Sequence, residues 1–177
     1  MYMYMRLVAV EREIAGTENG LYSGRGAAKR CQPVKQGDEM TFGELVEALG
    51  KHLGVELGDE GGATAVEADG LPVILHAAGD DILLMHADLG EIAPEGREEI
   101  SAAALEANYL YQATGGATLA VNRQDGHMHI QKYNWMERLD AEKAATELDR
   151  FVEVALAWKK ILEERTPDPV ARGFEQV

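Results

Sequence analysis

The chain has a single cysteine, Cys31, in 177 residues. No intrachain disulfide can form and a cysteine-rich zinc site is excluded, which predicts a reducing compartment. Long apolar runs are also missing. Leu7-Val8-Ala9-Val10 is too short for a secretory core, and nothing approaches the roughly 18 apolar residues of a membrane span, so cytoplasmic residence is expected, with no membrane partner. Only two serines occur, Ser23 and Ser101, and neither stands in a nucleophile elbow. Positive charge is scarce as well: 17 Lys and Arg face 31 Asp and Glu, a net charge of −14. Such a surface repels phosphates and anionic headgroups, which argues against nucleic-acid binding. The one short basic tract, Arg25 to Arg30 with Lys29, has only Tyr22 beside it as an aromatic.

What is present is a soluble globular composition, 46% hydrophobic and 27% charged, at a length that suits one core with a modest extension. Residues 1–40 carry six basic and five acidic groups and a loop-like density of glycine after a strand-like piece from Tyr2 to Val10. They read as an N-terminal extension, with Met40 as an alternative start. The acidity belongs to residues 41–165, the expected domain, and residues 166–177 read as a tail.

From Thr41 the pattern sharpens. Thr41 and Glu44 have the spacing of a capping box, and Phe42, Leu45, Val46, Leu49 and Leu53 recur on one helical face before Gly54, which predicts a helix over 42–53. Strands are expected at 63–68, 72–77 and 81–88, separated by Asp69-Gly70 and Gly79-Asp80. A second helix is expected over 97–113, halted by Gly115-Gly116. Ile100, Ala103, Ala104, Ala107 and Tyr111 form one of its faces; Leu105, Asn108, Tyr109 and Gln112 form another. A helix that is apolar on two sides is usually covered on both. Strands at 117–122 and 127–133 follow, and Asp140 caps a helix to about 164 that Pro167 ends. The predicted fold class is α+β, in the order α-β-β-β-α-β-β-α, a sandwich of an antiparallel sheet flanked by helices.

Signals for chemistry are weak. His127 and His129 share a strand face at a spacing from which two imidazoles can reach one metal, but no third ligand is evident, and a solvent-facing strand surface is the favoured reading. A two-residue turn at Gly79-Asp80 would place His76 and His86 on opposite faces. Adjacent carboxylates such as Glu98-Glu99 and Asp80-Asp81 read as surface charge. Gly24-Arg25-Gly26 lacks the third glycine of a dinucleotide loop, and Gly115-Gly116 follows a helix where a phosphate cradle must precede one. No catalytic set, metal or cofactor is therefore expected, and a binding role is favoured over an enzymatic one.

The wording Leu105-Glu106-Ala107-Asn108-Tyr109-Leu110, then Thr114-Gly115-Gly116-Ala117-Thr118-Leu119, then Glu137-Arg138-Leu139-Asp140 resembles the class I type III secretion chaperones, the Tir-chaperone-like family, over about residues 41–164. The resemblance implies a cytoplasmic homodimer that binds an extended, non-globular segment of a secreted effector protein and keeps it soluble and export-competent. It places Leu105, Asn108, Tyr109 and Gln112 at the dimer contact. It also makes Phe42, Val46, Leu49, Leu75, Leu83 and Met85 candidate effector-groove residues, each of which equally suits a core position. Residues 1–40 depart from the family pattern, in which the first helix lies near the N-terminus. Two alternatives stay open: an interaction domain of the same fold outside secretion, and a small-molecule enzyme built on scattered carboxylates with His127 and His129.

Overall fold

The computed structural model describes the backbone of Leu7–Ala9 and residues 40–165. Helix α1 spans Phe42–Leu53, within the predicted bounds, because both of its ends are fixed by local chemistry. The Thr41 hydroxyl accepts from the Glu44 amide at 3.3 Å, and the Glu44 carboxylate accepts from the Thr41 amide at 2.8 Å. These reciprocal bonds satisfy donors that a helix start leaves free, and they hold the Glu44 carboxyl below its usual pKa. At the other end Gly54 takes the left-handed conformation that stops the helix.

Three strands follow as an antiparallel meander: β2 at Ala63–Ala68, β3 at Leu71–Ala77 and β4 at Ile82–Glu91. Helix α2 covers Arg97–Asn108, β5 Thr118–Val121, β6 His127–Trp135 and helix α3 Ala141–Arg165. The predicted order is all there. A further strand, β1 at Leu7–Ala9, lies within the expected extension and pairs antiparallel with β2, giving a six-stranded sheet in the order β1-β2-β3-β4-β6-β5. The short basic tract, Ser23, Cys31, the Gly24-Arg25-Gly26 loop and Pro167 lie outside the described residues.

Period-two alternation divides the sheet into two faces. Val66, Val73, Leu75, Leu83, Met85, Met128 and Ile130 point inward and are buried. Against them pack Leu45, Val46 and Leu49 of α1, Ile100, Ala104 and Ala107 of α2, and Leu148, Phe151, Val152, Ala155 and Leu162 of α3, all in one cluster. The opposite face carries Ile74, His76, Leu84, His86, His127 and His129, which stay partly exposed. Among the described residues, no helix is long and apolar enough to cross a membrane.

The β3–β4 hairpin differs from expectation by one residue. Its turn is longer than two residues, with the Ala78 amide bonded to the Ile82 carbonyl, so His76 pairs with Leu84 and His86 with Ile74. A slip of one position moves every side chain to the other face. The two histidines therefore share a face, against the expectation that they lie on opposite ones.

Candidate functional site: an exposed apolar corner after helix α2

The second helix ends five residues before its expected limit of 113. Asn108 stops it, because its side chain leaves the helix to serve a strand. Its Oδ1 accepts from the Leu119 amide and its Nδ2 donates to the Leu119 carbonyl, both at 2.9 Å. This bidentate pair closes the outer edge of β5, whose backbone groups would otherwise lack partners. Beyond it, Tyr109–Tyr111 form a tight turn in which Leu110 and Tyr111 both have φ of 54°. Left-handed backbone at a non-glycine residue costs about 1–2 kcal/mol, and two such residues in a row persist only if their surroundings hold them.

The surroundings do so. The Trp158 indole of α3 donates to the Ala113 carbonyl at 3.2 Å. The amides of Thr114 and Gly115 bond the Tyr111 carbonyl, and Thr114 and Ala117 are buried. Gly115 and Gly116 both adopt positive φ, which carries the chain from the turn into β5. Anchored before and after, the corner presents its apolar side chains outward: Leu105 is 72% exposed, Tyr109 73%, Leu110 65% and Tyr111 54%. Tyr111, expected to share the face of Ile100, Ala104 and Ala107 on a longer helix, is on the outside while those three are buried, since the helix that was to align it with them has ended.

Of the four expected dimer-contact residues, Leu105, Tyr109 and Gln112 are exposed here, while Asn108 is engaged within its own chain. Leu110 and Tyr111 share this exposure without having been expected there. The available signal was Asn108 itself, a residue suited to ending a helix, standing directly before an aromatic run. The six expected groove residues, Phe42, Val46, Leu49, Leu75, Leu83 and Met85, lie in the core at 0–7% exposure. In the folded subunit they contribute packing and offer no surface.

The histidines form a row on the open sheet face. His86 Nε2 lies 3.1 Å from His129 Nδ1, so one ring donates and the other accepts. His127 donates to the Asp88 carboxylate at 2.8 Å. That bond raises the His127 pKa, whereas burial lowers those of His76 and His86, the latter depressed further by His129 and His76. Among the described residues no group of three His, Cys, Asp or Glu side chains is placed to hold a metal ion.

The family model of the Tir chaperone protein (CesT) family matches residues 44–159. The chain belongs to this family. Its members are chaperones and not enzymes. The matched span begins within α1 and ends within α3, and so contains the whole apolar corner. A comparison with curated protein sequences finds no significant match.

Solved structures share the fold. A chain of the crystal structure of the Yersinia pestis type III secretion chaperone SycH with a stable fragment of YscM2 is 20% identical. The match covers 67% of this chain and 99% of that one, with a TM-score of 0.54. A chain of the ExoU–SpcU complex from the type III secretion system of Pseudomonas aeruginosa is 16% identical over 68% of this chain and 98% of that one, with a TM-score of 0.55. The ExoT–SpcS complex of the same organism contains a chain that is 19% identical over 64% and 92%, with a TM-score of 0.52.

Proposed function

We propose that the chain is a cytoplasmic class I-type secretion chaperone that acts as a homodimer and holds an extended, non-globular segment of an effector protein in a soluble, export-competent state. The observation that carries this reading is the apolar corner of Leu105, Tyr109, Leu110 and Tyr111, displayed outward by two strained residues between firm anchors. An apolar patch held this deliberately in water suits an interface, and a twin copy offering the same patch is the simplest partner for a closed dimer. Family membership supplies the chaperone role, and the structural relatives named above include a type III secretion chaperone crystallised with a fragment of a second protein and a heterodimeric complex from a type III secretion system.

Client binding then follows ordinary physics. An unfolded segment loses conformational entropy on docking, which buried apolar area and backbone pairing offset, and no nucleotide is consumed. In this reading Phe42, Val46, Leu49, Leu75, Leu83 and Met85 act from beneath. They hold α1 against the sheet, while contact with the client falls on partly exposed neighbours such as Leu53, Val55 and Ala77.

Affinity purification of the tagged chain from its native cells, followed by native mass spectrometry, tests the proposal. Two copies of the chain should elute with one effector, and proteolysis should leave a protected effector piece with no fold of its own. Recovery of the chain as a monomer bound to a folded protein would overturn it.

A further inference from the structure

Strand β6 is longer than the strand beside it. Pairing between β5 and β6 ends at Thr118 with Gln131, whereas β6 continues to Trp135. The Met136 amide bonds the Asp81 carbonyl on the β4 side. Alternation along an antiparallel ladder then turns the even-numbered amides of β6 toward β4 and the odd-numbered ones toward β5. Tyr133 and Trp135 therefore direct backbone groups at an edge that no strand among the described residues covers.

That edge opens into a cleft of about 410 Å³ between the end of β6 and the start of α3. Tyr133 and Trp135 line it and are about half exposed, and the buried Asn134 amide nitrogen beside it has no acceptor among the described residues. The charge of the lining is opposite to that of the chain. Arg138, Lys143 and Arg150 contribute three cations, against one carboxylate, Glu147. Glu147 is already held by Lys132 at 2.7 Å and Arg150 at 3.1 Å, which lowers its pKa and keeps it ionised and occupied. Lys143 and Arg138 pair only with the exposed carboxylates of Asp140 and Glu137. Exposed pairs of this kind exchange partners at little cost.

We propose that this cleft docks a short extended acidic segment of a client protein, which adds to the free edge of β6, packs side chains on Tyr133 and Trp135, and sets carboxylates against Arg138, Lys143 and Arg150. The argument is charge complementarity. On a chain of net charge −14 an acidic segment is repelled almost everywhere, so a local cationic cleft determines both where it lands and in which register. Backbone pairing supplies sequence-independent affinity at the same place. The identity of the bound molecule as a client rests on the function proposed above.

The test uses the full chain and two fluorescent peptides, one alternating Glu with Val and one alternating Lys with Val. The Glu peptide should bind with an affinity that falls as salt rises, and the Lys peptide should not bind. Reversal of charge in the Arg138→Glu, Arg150→Glu double variant should weaken binding by about tenfold or more while the thermal melt still shows a folded subunit, since both side chains are exposed and the loss of the Arg150–Glu147 pair costs little. Hydrogen exchange at the Tyr133 and Trp135 amides should slow on binding, and exchange at the β5-paired His129 amide should not change. Equal binding of both peptides, binding undiminished by charge reversal, or unaltered Tyr133 and Trp135 amides would overturn the proposal. The assay needs no effector. Peptide binding without effector capture therefore removes only the secretion reading, and effector capture without peptide binding removes only this cleft.

Discussion

Helices α1 and α2 are both twelve residues long and use their apolar residues in opposite directions. Helix α1 turns Phe42, Leu45, Val46 and Leu49 into the core behind a capping box and a glycine stop. Helix α2 has no side-chain cap at its start, buries only Ile100, Ala104 and Ala107, and leaves Leu105 outside with the tyrosines that follow. The first helix is finished by its own sequence. The second is finished by Asn108, which reaches a strand eleven residues further on. A helix designed only for the core has no reason to expose its largest side chains, and in the proposed reading the difference separates what folds the subunit from what it offers to others.

The comparison can be broken most severely at the core. Leu49→Ala should cost about 2–5 kcal/mol in urea unfolding, because the cavity under α1 cannot fully collapse. Tyr109→Ala, a larger truncation just beyond the end of the other helix, should change the stability of the isolated subunit by about 0.5 kcal/mol or less. Next comes the hinge between the two uses. Asn108→Ala should cost about 1–3 kcal/mol by leaving the Leu119 amide and carbonyl without partners, and hydrogen exchange at the Leu119 amide should accelerate.

A gain is expected at the strained turn. Tyr111→Gly should raise subunit stability by about 1 kcal/mol, since glycine accepts the left-handed backbone that tyrosine resists. A destabilised variant would show that the Tyr111 ring supports its own subunit and would erase the contrast. The smallest effect lies on the open sheet face. Burial lowers the His86 pKa, so the unfolded chain binds the proton more readily and this contribution is complete above the unperturbed value of 6.5 and lost as pH falls below it. His127, raised by Asp88, works in the opposite sense: its contribution is present below 6.5 and lost as pH rises through its elevated pKa. Replacing His86 by Gln should therefore flatten the acid-side loss seen in urea titrations between pH 7.5 and 5.5, and replacing His127 by Gln should steepen it.

The bounds of α1 and β2 could be read directly from the sequence because the signals that set them are local: Thr41 and Glu44 at one end, Gly54 at the other, and Asp69-Gly70 after the strand. The end of α2 could not. Helical spacing continues through Tyr111, and the bond that stops the helix at Asn108 depends on where β5 comes to lie. The faces of His76 and His86 turned on the length of one loop, which Gly79-Asp80 alone does not fix. The stripe of Phe42, Val46 and Leu49 looks the same whether it fills a core or lines a groove, since periodicity reports a face and not what covers it. Leu105 and Tyr109 were legible as an outward face because they stand off the Ile100, Ala104 and Ala107 stripe.

Sedimentation equilibrium of the purified chain and of a Leu105→Asp, Tyr109→Asp variant, combined with their thermal melts, tests the central claim most directly. The account predicts a dimer at micromolar concentration for the parent chain, a monomer for the variant, and a variant subunit that remains folded. A parent chain that stays monomeric across that range, or a variant that still dimerises, would contradict it.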